Sequence, residues 1–324
     1  MKNWINRLLS GTEDGASPSE AAASHEHVQG HGEPADEMSA GIDAAYYRWL
    51  TGARGYDAPP DIENLILEQV LTLSRNAADA AELVPRVPEL IPQLLLSLRD
   101  DGVTTGALAR QVAQDVVLMA EVIREANSAY YRPITPVKTI EAAIMMLGQN
   151  GLRMLLARLA FRPLIKMQST GFARGAALNV WNQSEKCALA ASLMAPGLTA
   201  GVFESYLAGL MQNVGLLVAF RLADRVCPTG SVPGSTEFGA RLLACSRQLS
   251  ATIATHWDFP QEVAQSIAHA GAPDGSNLAR ALAQGDRIAK LRMLIDASVL
   301  DEDDPLVAEG LDNFQRRCLG KLAS

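Results

Sequence analysis

Cysteine is scarce and scattered. The four, Cys187, Cys227, Cys245 and Cys318, stand 40, 18 and 73 residues apart, and no CxxC pair exists. That spacing offers neither a zinc ribbon nor a dithiol redox motif. Basic runs are absent too, which removes the patch through which general nucleic-acid binders hold phosphate. Apolar stretches are interrupted by Arg, Gln or Asn before reaching the roughly 18 residues that a membrane span needs. The apolar part of the N-terminus, residues 4–9, is too short for the core of a signal peptide. Together these absences point to a reducing cytoplasm. Strand signals are missing as well, since Val, Ile and Thr nowhere alternate with polar residues over a strand's length and no Asn-Gly turn separates two such runs.

What is present is apolar material for a large core. Of 324 residues, 48% are hydrophobic and 20% charged, so the chain as a whole is not a disordered one. The charge is uneven. Residues 1–60 hold nine acidic groups against Lys2, Arg7, Arg48 and Arg54, which places −5 of the net −8 there. Residues 10–40 are rich in Ser, Gly, Ala, Glu and Pro and poor in large aliphatics. Such composition cannot offset the entropy of ordering, and it predicts a flexible acidic linker. Ahead of it, Trp4, Ile5, Leu8 and Leu9 can share one face of a short helix that docks on a partner or a membrane surface. For so short a segment a frayed terminus is the stronger reading. His25, His27 and His31 have a spacing able to catch a divalent ion, but a solvated linker offers them no preorganised scaffold.

From residue 41 onward helical periodicity dominates. Ala44, Tyr46, Tyr47, Trp49 and Leu50 predict an aromatic helix lying as a strap on the main body, and Ile62, Leu65, Ile66, Val70 and Leu73 predict the next. Pro88 suits the first turn of a helix over 90–98. Thr104 or Thr105 opens a short helix, and Asp115 caps one running to 126. Gly148 separates a helix over 140–147 from another reaching 160. Further helices are predicted over 181–194, 203–222, 238–255, 260–269 and 278–294, and a last one, capped by Asp304 and Pro305, reaches 319. No fixed-period repeat is present. The fold class is all-α.

The order of local features resembles the HDOD domain family. The run 83–89 (LVPRVPE) is similar to that domain's opening. It is followed in order by residues 109–115, by 124–131 (REANSAYY), by a Pro-containing bend, and by Ile140 to Ile144 with Leu147 and Gly148. Trp181, Ser184 and Ala188 match the family's tryptophan-containing helix, and Leu207 to Leu210 lead into its namesake position. The resemblance covers about residues 80–295. It implies a two-lobed helical module related to the metal-dependent HD phosphohydrolases, most of whose HDOD members are non-hydrolytic regulators of bacterial signalling and gene expression. On that basis the organisation is a flexible segment over 1–60, an N-terminal helical lobe over 61–170, and a degenerate HD-like lobe with a C-terminal helix over 171–324.

An HD hydrolase holds divalent metal through imidazoles and carboxylates, and the metal lowers the pKa of a water that attacks phosphate. Carried over position by position, the His-Asp pair is matched here by Gln212 and Asn213, and the lysine after the glycine by Leu216. An earlier ligand histidine is matched by Gln183. Of a later His-His pair only His269 remains, beside Ala270, and the last aspartate is matched by Asp286. Neutral amides are poor ligands for transition metals, and two surviving ligands do not close a site that needs at least three. The expectation is therefore a pocket around Gln183, Gln212, Asn213, His269 and Asp286 with no catalytic residue, no metal and no cofactor. The chain would act as a non-enzymatic signalling adaptor binding a protein partner or a small ligand. The competing expectation is a weak metal-dependent phosphohydrolase.

Other signals have plainer readings. Residues 104–130 resemble a helix-turn-helix, but the would-be reading helix offers Glu121, Arg124 and Glu125, and residues 104–131 carry net −1. A helix that reads DNA needs exposed basic and amide side chains, so a structural helical pair is expected, with no nucleic-acid partner. His256 and Trp257 suit a packed aromatic anchor. Residues 301–304 lack the glycine of a calcium loop and suit a helix N-terminus. Met145, Met146, Met154, Met194 and Met211 read as core filler. Ser184 has no sequence-local His or Asp to activate it.

Overall fold

The first helix, α1 (Glu33–Thr51), begins inside the stretch that composition assigns to the flexible linker. The computed structural model describes residues 33–52, 58–83, 104–128, 131–162, 171–227, 231–257 and 259–323. The difference has a local cause. Ile42, Tyr46, Tyr47 and Leu50 recur at i, i+4, i+5 and i+8 and are all buried, so one apolar stripe anchors the helix along the body. Pro34 sits where a first turn tolerates it. Tyr47 Oη donates to the Pro233 carbonyl at 2.7 Å, which fixes the strap across the molecule. The readings at residues 4–9, at His25, His27 and His31, and over 90–98 fall outside the described residues.

Helices α2 (Pro60–Arg75) and α3 (Ala77–Glu82) follow, then α4 (Thr105–Val112), α5 (Val116–Ala126) and α6 (Ile140–Phe161). Their starts obey capping chemistry. Thr104 Oγ1 accepts from the Ala107 amide at 3.2 Å, and Asp115 Oδ1 accepts from Val117 and Leu118 at 2.8 and 3.0 Å. Gly148, at φ +65°, bends α6 in its first half, a conformation that a side chain at this position would strain. Before that bend Ala143, Ile144 and Leu147 form the buried face, so Met145 falls opposite and is 73% exposed rather than core.

The second half is organised around α7 (Gly171–Met194), which packs most extensively on α8 (Val202–Met211) and α12 (Asn277–Asp296). The single helix expected over 203–222 is two, because the chain leaves helical geometry at Asn213 (φ −103°, ψ 6°) before α9 (Val214–Val226). Val202–Val226 is long and apolar enough to cross a membrane by length and composition, yet 89% of its most apolar window is buried among other helices of the chain. α10 (Thr236–His256) runs beside α1, α2, α3 and α9, and α11 (Gln261–Ala268) follows it. The expected last helix is also divided, into α13 (Pro305–Ala308) and α14 (Asn313–Lys321), the second opened by an Asp312–Gln315 capping box. Asp304 Oδ1 accepts from the Leu306 amide at 2.9 Å, so the acidic run ends as a helix cap. Among the described residues there is no strand, and the fold is all-α.

One hydrophobic core extends from Tyr46 through Leu156 and Phe220 to Leu294, and a smaller one joins Ile42, Met194, Ile288 and Leu319. Trp257 stacks on Phe161 at 6.2 Å between centroids, as the aromatic anchor reading expects, while His256 beside it is exposed. Met194 and Met211 are core residues.

Candidate functional site

Four helices and one helix break converge on Asp286. Gln183, Ser184 and Cys187 share a face of α7 at i, i+1 and i+4, and Asp286 and Lys290 share a face of α12 at i and i+4. Gln212 and Asn213 occupy the break between α8 and α9. That break is held on α10 by Ser250, whose Oγ donates to the Gln212 carbonyl at 2.6 Å and accepts from the Gly215 amide at 2.8 Å. A Cβ on Gly215 would collide with the Ser246 carbonyl, so the close approach of α9 to α10 depends on that glycine.

Asp286 is 7% exposed and fully engaged. Its Oδ1 accepts from Gln183 Nε2 at 2.6 Å and from Gln212 Nε2 at 2.9 Å. Its Oδ2 accepts from Lys290 Nζ at 2.6 Å and from Arg247 Nη2 at 3.3 Å. An ionised carboxylate only accepts, which is why both glutamines turn their nitrogens toward it. Asn213 Nδ2 donates to Gln183 Oε1 and, at 3.0 Å, to Ser184 Oγ. A second carboxylate completes the cluster: Lys290 Nζ also donates to Asp43 Oδ1 of α1 at 2.6 Å, and Arg247 stands 3.6 Å from Asp43 Oδ2.

Burial alone would raise the Asp286 pKa, but Lys290 and Arg247, with hydrogen bonds from Lys290 and Gln212, outweigh it and hold the group below the ordinary aspartate range. For Lys290 burial works to lower the pKa, and the Asp286 and Asp43 charges overcome it and raise it. Burial pushes the Cys187 thiol well up, with the Asp286 charge adding to the effect.

The signs set a pH profile. Asp286 has a folded pKa below its unfolded value, so its contribution is present above about pH 4 and is lost as acid protonates the folded group. Lys290 has a raised folded pKa, so its contribution persists to about pH 10 and is lost above that. The midpoint of urea unfolding is therefore expected to stay level through the neutral range and to fall on the acid side. Asp286→Asn should flatten that acid limb, which a series of urea titrations checks.

Of the expected pocket residues, Gln183, Gln212, Asn213 and Asp286 are brought together. His269 is not. It caps α11, is exposed, and sets its Nδ1 2.9 Å from the Gln265 carbonyl of its own last turn. The residues present do not fit a divalent ion. The one central carboxylate has both oxygens committed to cations and amides, and among the described residues no three His, Cys, Asp or Glu side chains group as metal ligands. Where a metal would bring positive charge, Lys290 and Arg247 already supply it. Sequence reasoning missed Asp43, Arg247 and Lys290. Only Lys290 left a local sign, standing one helical turn beyond Asp286. Next to the cluster lies a cavity of about 90 Å³ between α1, α10 and α12.

Comparison with known proteins agrees with this architecture. The profile of the HDOD domain matches residues 84–273. An uncharacterized protein of Treponema pallidum is 23% identical over 218 residues, covering 64% of this chain and 41% of that protein, so the match spans about two fifths of the relative's length. A crystal structure of a candidate metal-dependent phosphohydrolase from Shewanella amazonensis superposes with a TM-score of 0.57 at 20% identity, covering 81% of this chain and 98% of that one. An HDOD domain protein of unknown function from Geobacter sulfurreducens gives 0.53 at 20% identity, covering 79% and 94%. At such identity the likeness is one of fold.

Proposed function

The chain belongs to the HDOD domain family, and we propose that it acts as a non-catalytic regulator in bacterial signal transduction, working by binding a signalling protein or a small ligand. The observation that supports this reading is the state of Asp286: every lone pair a metal would need is taken by Lys290, Arg247, Gln183 or Gln212. An incoming cation would have to displace an ammonium and a guanidinium and leave both to share the single carboxylate of Asp43, a cost of several kcal/mol on the usual scale of about 3–5 for a broken buried pair. The architecture of a hydrolase would then be kept as a scaffold for recognition, with binding shifting the balance between helix arrangements. The reading places the protein in the cytoplasm without a nucleic-acid partner.

Elemental analysis of purified protein and turnover of a chromogenic phosphodiester test the proposal together. The expected result is manganese, iron and zinc each far below one per chain, with no hydrolysis above background after metal is added. Stoichiometric manganese or iron, with turnover abolished by Asp286→Ala, would instead establish a metal-dependent phosphohydrolase.

A further inference from the structure

The cavity beside Asp286 has an unmatched donor on its wall. It is lined by Ser39, Asp43, Arg247, Ala270, Asp286 and Arg287, among others. The acceptors there are committed: Asp286 to four donors, and Asp43 to Lys290 with Arg247 facing its second oxygen. Arg287 differs. Among the described residues its Nη2 meets only the weak acceptor Met38 Sδ at 2.9 Å, and its Nε is buried with no partner. No carboxylate among the described residues pairs with it, and burial by itself lowers its pKa. A side chain at Gly310 would strike the guanidinium, so the loop between α13 and α14 helps hold it in place.

Charge gives the same answer as hydrogen bonding. Among the described residues three cations, Arg247, Arg287 and Lys290, face two carboxylates, Asp43 and Asp286, which leaves one positive charge over in a chain of net charge −8. Buried polar atoms are satisfied as a rule, and the one left wanting here, Nε of the half-buried Arg287, belongs to a planar, bidentate donor suited to an oxyanion. The cavity, about 90 Å³ and partly open to solvent, has room for a compact oxyanion such as phosphate.

We propose that this cavity binds a phosphate group, gripped by Arg287 and Arg247, and that the carboxylate of Asp43 on α1 competes with it for Arg247. This deepens the ligand-binding reading of the protein and rests on it. Occupancy would then weaken the hold of α1 on the body and so carry a signal outward.

Calorimetric titration of the full chain with inorganic phosphate at low ionic strength tests the proposal. Saturable one-to-one binding is expected. Arg287→Gln should weaken it at least tenfold, and Asp43→Asn should tighten it by about tenfold, with helical circular dichroism confirming that each variant is folded. A parallel titration with AMP separates the sources: weaker binding than phosphate assigns the site to the free ion, and equal or tighter binding to the phosphoryl end of a nucleotide. Absence of saturable binding, or an Arg287→Gln variant that binds like the parent, would overturn the proposal, as would an Asp43→Asn variant that folds yet binds no tighter. None of these failures alters metal content or phosphodiester turnover, by which the regulator reading is judged.

Discussion

Asp286→Ala is expected to lower the unfolding free energy by about 3–5 kcal/mol in urea titration, the range found when one partner of a buried ion pair is removed. Among the described residues Asp286 is the only acceptor shared by Lys290, Arg247, Gln183 and Gln212, and Lys290 is 3% exposed. Truncation leaves Asp43 to answer two cations from the far side, strands the Gln183 nitrogen and leaves Gln212 Nε2 with the weak acceptor Cys187 Sγ at 3.0 Å. Gln212 is already under-satisfied, since its Oε1 is buried without a partner. A double-mutant cycle separates the charge from the lost packing. Lys290→Met alone should also be costly, because it leaves Asp286 with Arg247 as its one cation. Asp286→Leu combined with Lys290→Met should then recover at least about 1 kcal/mol relative to the sum of the single losses, as groups in direct contact do. Strict additivity in that cycle would mean that the ion pair carries no net energy.

Gly209→Ala is the second change with a large expected effect. An added Cβ there would overlap the backbone of Ala188 on α7, where nothing short of moving a helix makes room. Overpacking typically costs about 1–3 kcal/mol and sometimes more, and an obstacle made of main chain puts this position at the upper end. Gly285 repeats the device between α12 and α7, where a Cβ would lie 2.7 Å from the Ala191 amide nitrogen and 2.8 Å from its Cβ. Both glycines seat a helix that carries part of the site, Gly209 for Gln212 and Gly285 for Asp286. Urea midpoints should fall clearly for each alanine variant. Gly106→Ala, at a helical position with nothing within 4 Å, should leave the midpoint unchanged or slightly raised.

How much of this was legible in the sequence depended on whether the cause was local. Thr104, Asp115 and Gly148 announce helix starts and a bend through their own chemistry, and the structure places them in those roles. The start of α1 was not legible, because Ala, Ser and Glu suit a linker and a helix equally until Ile42 and Tyr46 find a surface to cover. The break at Gln212 and Asn213 was hidden for the opposite reason: apolar residues continue on both sides of it, and the interruption is enforced by Ser250 on another helix. At the site, the family resemblance located Gln183, Gln212, Asn213 and Asp286, but it carried His269 along with them. Position in a motif does not report that the ring folds back on Gln265. Asp43 and Arg247 come from helices roughly 200 residues apart in the chain, and only the tertiary arrangement pairs them.

Lys290 and Arg247 bear on how such a centre meets its surroundings. A coordinated ion exchanges with the medium, so a site built on one empties under a chelator and follows the supply of the element in the cell. An ammonium and a guanidinium tethered by their own side chains have no such equilibrium. On the non-catalytic reading proposed above, this centre would be insulated from metal starvation, and its urea midpoint is expected to be the same with and without EDTA.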